Sequence, residues 1–306
     1  MSFQPLFRRF HQAIQLKRFD ENAELVEKRD RVLKRLRENL SISFDWFNQG
    51  SYAMGTGVKP VNGDYDIDIG LVFDVSHRSY APSTVKKWVY DAVVHHTTRV
   101  EWRRPCITVY YQQAGEAIYH VDLAILVKES PYSNALYLAI GKEHSAAAQQ
   151  EWQPDDRKGF IKAIENKFTG EDAEQFRRVI RYLKRWKDEH FSNQGRAAPT
   201  GLSLTVAAYY WFQLAKTSWY SAADYDDFSA TASLVDMIKR NFYYGRRLSL
   251  QFPKAPQDDV LARMTDQQMR EFYQRLEELS GWLDDARRTR STAPLQQAFG
   301  ADFPAQ

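Results

Sequence analysis

Apolar and polar residues alternate in the first half of the chain and recur at helical spacing in the second half. The clearest strand is predicted for residues 64–75, where every second residue is apolar: Ile67, Ile69, Leu71 and Phe73. Three more segments rich in Val, Ile and Tyr are predicted strands, namely 100–102, 106–112 and 118–127. Helices are predicted for residues 5–16, 20–40 and 83–95.

The second half of the chain has a different pattern. Helical periodicity predicts helices at residues 171–190, 200–214, 234–241 and 266–288. Residues 152–168 are mixed, with a possible helix start at 154–156. Strands followed by helices indicate an α+β protein. We expect a mixed-sheet core in residues 1–169, which includes the N-terminal helices, and a helical domain in residues 170–306 that closes a cleft against it.

Composition mainly excludes classes of protein. The chain has 306 residues, of which 43% are hydrophobic, so it can bury a substantial core. Its single cysteine, Cys106, excludes an intramolecular disulfide and a cysteine-based zinc site. No apolar run is long enough to span a membrane, and residues 1–16 lack the apolar core of a signal peptide, so we expect a cytoplasmic protein. The net charge of +3 is too small to indicate wrapping of nucleic acid.

The segment most indicative of chemistry runs from Gly50 to Phe73. A Gly50–Ser51 turn, which can offer N–H groups and a hydroxyl to an anion, precedes the predicted strand that carries Asp66 and Asp68. Residues i and i+2 of a strand project to the same side, so both carboxylates can bind one hard cation. The arrangement predicts a site for a metal-bound triphosphate and is typical of nucleotidyl transfer.

Asp122 is the best candidate for a third carboxylate ligand. It is an isolated acid in the apolar strand predicted for residues 118–127, where an unpaired charge is costly to bury. A metal ion, or an ion pair with Arg103 or Arg104, would remove that cost. Three carboxylates suit two Mg²⁺ or Mn²⁺ ions, one activating the attacking hydroxyl and one holding the triphosphate and leaving pyrophosphate.

These residues resemble the signature of the DNA polymerase β-like nucleotidyltransferases. The segments GSYAMGTGVKP and DYDIDIG are more specifically similar to the bacterial cGAS/DncV-like nucleotidyltransferases, the cyclic oligonucleotide synthases of anti-phage signalling systems. RYLKRWK at residues 181–187, TGLS at 200–203 and FGADF at 299–303 extend the resemblance over nearly the whole chain.

The resemblance implies roles for residues outside the carboxylate strands. Lys184 and Ser203 match the helix lysine and the following serine that contact the donor triphosphate in the family. Met54 stands where some relatives carry a base-stacking aromatic residue, and the neighbouring Tyr52 could substitute for it. For Lys184 a solvated basic helix face is the alternative, and for Ser203 the alternative is a helix whose N-cap is Thr200.

The resemblance also implies a reaction and its partners. Nucleoside triphosphates, ATP or GTP among them, would be joined into a cyclic di- or trinucleotide that activates a separate effector protein, with a regulatory partner possible and with no membrane or obligatory nucleic acid. An RNA-tailing, protein-modifying or drug-modifying nucleotidyltransferase, and a catalytically dead nucleotide-binding module, stay open as alternatives. Asp64 also alternates with Asp66, so a register shifted by two residues is a further alternative for the metal pair.

Overall fold

The computed structural model describes residues 2–16, 23–61, 63, 65–113, 116–130, 132–191, 198–217, 225–242 and 247–305. The helices in these ranges are α1 (Gln4–Ile14), α2 (Ala23–Asn39), α3 (Gly50–Ala53), α4 (Pro82–Val93), α5 (Arg157–Glu165), α6 (Gly170–His190), α7 (Gly201–Trp211), α8 (Asp227–Arg240), α9 (Asp266–Thr289) and α10 (Ala293–Phe299). The strands are β1 (Phe44–Asn48), β2 (Tyr65–Ser76), β3 (Arg99–Trp102), β4 (Ile107–Gln113), β5 (Glu116–Lys128), β6 (Leu136–Ile140) and β7 (Glu151–Asp155).

The strands form one mixed sheet in the order β1-β2-β5-β4-β3. Strands β2 and β5 are parallel, whereas the other pairs are antiparallel. The far end of β5 also pairs with β6, which in turn pairs with β7. A mixed sheet flanked by helices, followed by a helical region, confirms the predicted α+β class.

Strand β2 follows the predicted alternation. Its apolar residues, Ile67, Ile69, Leu71 and Phe73, are fully buried. They pack beneath α2 and α4 in a core that includes Leu33 and Val89. Because side chains alternate across a strand, Asp66 and Asp68 project from the opposite face. The burial of one face therefore fixes which face carries the carboxylates.

A second core lies among the helices and is rich in aromatic residues. Phe7 of α1 contacts Tyr182 of α6 and Phe303 after α10, with ring centroids 5.1 and 5.2 Å apart. This core also includes Phe160 of α5. Helices α1 and α5 thus precede the expected boundary at residues 169/170 but pack with the helices that follow it. The helical core therefore contains helices from both sides of that boundary in the sequence.

Several element boundaries differ from the expectations. Strands β1 and β6 and helix α10 were not predicted. Pro154 lies in the edge strand β7, and α5 begins only after Asp156, whose side chain accepts a hydrogen bond from the Gly159 N–H. Helix α8 begins seven residues before the predicted start because Asp226 caps it, accepting from the Ser229 N–H at 2.9 Å. Residues 20–22 of the predicted second helix lie outside the described residues.

None of the described helices combines the length and the apolar character that crossing a lipid bilayer requires.

A buried ion pair ties α6 to α8 inside the second core. The Arg178 Nε lies 2.6 Å from the Asp227 Oδ2, and the two side chains are 1% and 0% exposed. The Tyr182 hydroxyl lies 3.0 Å from the same carboxylate oxygen. Burial opposes ionisation of Asp227, but the hydrogen bonds and charge of Arg178 outweigh it and lower its pKa. The carboxylate is therefore ionised and depends on Arg178 for its countercharge.

Replacing Arg178 with methionine should strongly destabilise the fold, because it leaves the Asp227 charge buried without its partner. We expect the free energy of unfolding at neutral pH, measured in urea, to fall by about 3–5 kcal/mol. The deficit should shrink as the pH falls, because Asp227 has a lowered pKa in the folded chain and its contribution is lost on protonation.

Lys87→Met is the matched control for Arg178→Met. Lys87 pairs with Asp91 at 2.8 Å, but these side chains are 65% and 55% exposed. Its loss should cost less than about 1 kcal/mol. Equal effects of the two substitutions would contradict the role assigned to the buried pair.

Candidate active site

Three carboxylates meet on the open face of the sheet where β2 and β5 run side by side. The register pairs Asp68 with Asp122, and Asp66 with His120. Paired residues of neighbouring strands share a face, so Asp66, Asp68 and Asp122 project to the same side. Ligand atoms of Asp66, His120 and Asp122 all lie within 4.8 Å of one another, a spacing that could accommodate a metal ion.

His120 belongs to this cluster, although the sequence reasoning did not select it. Its Nδ1 lies 3.2 Å from the Asp66 Oδ1 and 3.8 Å from the Asp122 Oδ1. Burial opposes protonation of the imidazole, but its interactions with the Asp122 and Asp66 carboxylates outweigh burial and raise the pKa to about 10. The available signal was its position two residues before Asp122, which puts both side chains on one face of β5.

The three carboxylates differ in their affinity for protons. Burial, with the negative charges of its two neighbours, raises the pKa of Asp68 well above its usual range. Loss of solvation beside its neighbours also raises the pKa of Asp66, against the opposing hydrogen bond to His120, although 50% of the Asp66 side chain is exposed. For Asp122, burial is outweighed by hydrogen bonds with His120 and Thr108, and the pKa falls. Asp68 is thus the group whose charge is least compensated by the protein.

Asp122 also has the cationic neighbour that was considered as an alternative to a metal ligand. The Arg103 Nη1 lies 3.9 Å from the Asp122 Oδ2, with the Arg103 side chain 42% exposed. Arg104 instead pairs with Glu151 at 3.1 Å. Asp122 therefore lies beside both an arginine and the Asp66–Asp68 strand, and the two interpretations of this residue are compatible.

The Gly50–Ser51 turn lies directly against the carboxylates. Gly50 has φ +66°, and a Cβ built on it would lie 1.8 Å from the Asp68 Oδ2. Only glycine allows both this left-handed conformation and this approach. The Gln49 N–H donates to the Asp68 carbonyl at 2.8 Å, which fixes the turn to β2, and Ser51 follows at the start of α3.

Three basic side chains of α6 donate hydrogen bonds to the loop at residues 55–59, which follows the turn: Arg181, Lys184 and Arg185. We call this set of contacts the carbonyl clamp. The Lys184 Nζ donates to the carbonyl and hydroxyl oxygens of Thr56, both at 3.1 Å. Arg181 donates to the carbonyls of Gly55 and Gly57, the latter at 3.1 Å, and Arg185 donates to that of Lys59 at 3.0 Å. The clamp fixes the turn region to the helical half.

Lys184 is the member of the clamp that the resemblance associated with triphosphate. It is only 7% exposed, and burial together with the charge of Arg181 lowers its pKa to about 7. Thr56, which it contacts, in turn donates its N–H to the Ser51 carbonyl at 2.8 Å. Lys184 is therefore one residue removed from the turn and does not lie on a solvated helix face.

Ser203 lies in the first turn of α7 and is 2% exposed. Its hydroxyl donates to the Thr200 carbonyl at 2.8 Å, and its N–H donates to the Thr200 hydroxyl at 3.0 Å. Thr200 is thus the N-cap of α7, as the alternative interpretation held. The adjacent Gly201 approaches Lys184, since a Cβ built on Gly201 would lie 3.3 Å from the lysine Cε. Ser203 is near the clamp, and its contact with nucleotide stays a prediction.

Tyr52 and Met54 are placed in the two cores. Tyr52 is 3% exposed and packs in the core beneath the sheet, whereas Met54 is 4% exposed and packs in the helical core. Both side chains are buried and pack in the cores, so neither is accessible to stack on a base in this conformation. Asp64, the alternative metal ligand, lies outside the described residues.

Residues 44–126 match the family model described as the nucleotidyltransferase domain of the cyclic GMP-AMP synthase DncV-like proteins. The matched segment contains the turn, both carboxylate strands and the whole acidic cluster. The segment that carries the candidate site is therefore similar to the nucleotidyltransferase domain of the cGAS/DncV-like proteins. The resemblance inferred from the motifs is thereby confirmed.

The individual proteins that this chain resembles are distant in sequence. A cyclic GMP-AMP synthase of Escherichia albertii is 25% identical over 191 residues, which are 59% of this chain and 41% of that protein. The chain therefore matches less than half the length of this curated relative. Two solved structures share the fold over nearly the full length of both chains.

The first is the Bradyrhizobium diazoefficiens CD-NTase CdnG in complex with GTP, with a TM-score of 0.70, 16% identity, and coverage of 96% of this chain and 94% of that one. The second is CdnC of E. coli MS115-1 in its complex with HORMA-deltaN, with a TM-score of 0.68, 15% identity and coverage of 98% of each chain. At these identities the likeness concerns the fold.

Asp68→Asn should raise the melting temperature of the protein in the absence of metal ions. The Asp68 carboxyl has a raised pKa in the folded chain, so the unfolded chain loses this proton first as the pH rises above about 3.9. As the pH rises from there toward the pKa of Asp68 in the folded chain, the wild-type protein is progressively destabilised relative to the Asp68→Asn variant. The gain in melting temperature should therefore be larger at neutral pH than near pH ~4.

Asp74→Asn controls for loss of a carboxylate from the same strand. Asp74 is 65% exposed and pairs with Lys128 at 2.8 Å, so its replacement should leave the melting temperature nearly unchanged or slightly lower. Adding Mg²⁺ or Mn²⁺ should reduce the advantage of Asp68→Asn, since cation binding stabilises wild type. No gain in the metal-free state would contradict the electrostatic account of Asp68.

Proposed function

We propose that this protein joins nucleoside triphosphates into a cyclic di- or trinucleotide second messenger and releases pyrophosphate. The observation that carries the proposal is the meeting of Asp66, Asp68 and Asp122 beside the Gly50–Ser51 turn. Carboxylates next to a backbone turn suit a metal-bound triphosphate better than they suit an uncharged substrate. Similarity to a cyclic GMP-AMP synthase supports the cyclic product.

The acidic cluster fits divalent metal ions on chemical grounds. Its carboxylate oxygens are the ligands that Mg²⁺ and Mn²⁺ prefer. Burial and the negative charges of its two neighbours raise the pKa of Asp68, and a bound cation would offset both effects. In the proposal, Asp66, Asp68 and Asp122 hold two such ions, which would supply activation of the attacking hydroxyl and charge stabilisation of the leaving pyrophosphate.

The protein's own groups bind and orient the donor triphosphate. Gly50 allows the backbone to approach the carboxylates, and Ser51 offers its N–H and hydroxyl to phosphate oxygens. The carbonyl clamp keeps this turn at a fixed distance from α6, and Lys184 adds positive charge when a triphosphate favours its protonated form. Ser203, which lies near Lys184 through Gly201, is the remaining candidate contact.

The chemical step is an in-line displacement. A ribose hydroxyl loses its proton to solvent water as its oxygen forms a bond to the donor α-phosphorus, the bond from that phosphorus to the oxygen bridging to the β-phosphate breaks, and pyrophosphate leaves. Asp122 is a poor proton acceptor, because its hydrogen bonds with His120 and Thr108 lower its pKa. Its role in the proposal is therefore to bind metal. A second displacement within the linear product closes the ring.

The proposal extends to partners. ATP or GTP would be the substrates, in line with the GTP complex of the CdnG relative. The product would activate a separate effector protein in anti-phage signalling. A regulatory protein is a further possibility in view of the CdnC–HORMA complex of a structural neighbour. Nucleoside triphosphates are supplied inside cells, so the proposal places the reaction in the cytoplasm.

Incubation with the four labelled ribonucleoside triphosphates and Mg²⁺ or Mn²⁺ should yield a small product that resists phosphatase. A cyclic oligonucleotide has no terminal phosphate, so phosphatase leaves its mass unchanged in mass spectrometry. We expect at least one purine in it. Asp66→Asn or Asp68→Asn should reduce its formation at least about a hundredfold, because a metal ligand is removed from the charged transition state. Long tails on an added RNA primer, with no resistant small product, would favour a tailing polymerase instead.

Lys184→Ala should mainly weaken binding of the donor triphosphate. A charge-assisted contact is worth roughly 1.5–3 kcal/mol, so the donor KM should rise about ten- to a hundredfold. Lys187→Ala is the control on the same helix, because Lys187 forms an ion pair with Asp188 at 2.6 Å and is not part of the carbonyl clamp. Equal donor KM values for wild type and Lys184→Ala would remove Lys184 from the proposed site.

A further inference from the structure

A fully buried hydroxyl lies against Asp122 on the neighbouring strand β4. Thr108 is paired with Asp122 in the antiparallel register of β4 and β5 and is 0% exposed. Its Oγ1 lies 2.5 Å from the Asp122 Oδ1. This places a side chain with no access to solvent in direct contact with one oxygen of a carboxylate at the open face.

The direction of this hydrogen bond follows from the chemistry of the two groups. An ionised carboxylate can only accept, so the Thr108 hydroxyl donates to Asp122. The Thr108 oxygen can itself accept, and the Sγ of Cys106, which directly precedes β4, lies 3.6 Å from it. Burial raises the pKa of Cys106 to about 12, so the thiol keeps its hydrogen at neutral pH and can donate it. The Thr108 hydrogen is thereby directed toward Asp122.

Other described contacts of Asp122 are longer. The His120 Nδ1 lies 3.8 Å from the Asp122 Oδ1, and the Arg103 Nη1 lies 3.9 Å from the Oδ2. The Arg103 side chain is 42% exposed, so it holds the carboxylate less rigidly than a buried group does. Thr108 is thus the short, solvent-excluded contact on Oδ1.

We propose that Thr108 is a positioning residue that fixes the orientation in which Asp122 binds metal. Hydrogen-bonding partners of a ligating carboxylate set its direction, and their loss typically weakens metal binding or activity about 10–100-fold. The inference rests on the proposed function, because it requires Asp122 to be a metal ligand. Thr108 itself touches neither metal nor nucleotide.

The test compares Thr108→Val with Thr108→Ser. Valine has the shape of threonine without the hydroxyl, whereas serine keeps the hydroxyl and removes a methyl group. Mn²⁺ binding, followed by electron paramagnetic resonance, should weaken at least about tenfold in Thr108→Val and stay near wild type in Thr108→Ser. In steady-state assays the Mn²⁺ concentration for half-maximal rate should rise in Thr108→Val, while the donor KM at saturating Mn²⁺ should not change.

Thr231→Val controls for loss of a buried hydroxyl as such. Thr231 is also 0% exposed, and its hydroxyl donates to the backbone carbonyl of Asp227 at 2.7 Å. This contact lies in the helical core and not at the acidic cluster of the sheet. We expect normal Mn²⁺ affinity in this variant, whatever its melting temperature. Circular dichroism of all variants verifies that each is folded before metal is added.

Different failures have different meanings. Wild-type Mn²⁺ affinity in Thr108→Val, or equal weakening in the valine and serine variants, would overturn the positioning role and leave the proposed function intact. Undiminished Mn²⁺ affinity in Asp122→Asn would show that Asp122 is not a ligand, which overturns both the inference and the metal site of the proposed function. Because the first readout is metal binding, the test does not depend on observing turnover.

Discussion

Three carboxylates are held side by side on one face of the sheet by the parallel register of β2 and β5. That register brings Asp68 next to Asp122, and the buried Ile67 and Ile69 prevent β2 from slipping by one residue. Burial of Asp68, together with repulsion from the neighbouring acids, raises its pKa, so part of the folding free energy opposes an unfavourable charge cluster. Sites that tolerate such strain are commonly functional, because a ligand can relieve it.

The helical half contributes to this site through the carbonyl clamp. Arg181 and Lys184 each donate hydrogen bonds to backbone oxygens of the loop that follows the glycine turn. The clamp lies on the same helix as the Arg178–Asp227 pair, which anchors α6 in the aromatic core. Stability and site geometry therefore depend on one helix, and a displacement of α6 would move the turn relative to the carboxylates.

The match to the family model and the site geometry agree, although the solved structures are only distantly related in sequence. The family model matches residues 44–126, the segment that contains the acidic cluster, while the structures of CdnG and CdnC match the fold over nearly the whole chain. Buried positions in a shared fold tolerate many apolar replacements when volume and pattern are kept. Identity can therefore be low although the architecture that positions the carboxylates persists.

The sequence by itself determined the α+β class, the alternation of β2 and the carboxylates of Asp66 and Asp68, because strand periodicity and motif spacing are local properties. It could not show that His120 contacts Asp66 or that Thr108 contacts Asp122, since those contacts depend on which strands become neighbours. Tertiary packing alone decided that Tyr52 and Met54 are buried and that α1 joins the C-terminal core. Those outcomes depend on burial between segments far apart in the chain, and no local pattern encodes that.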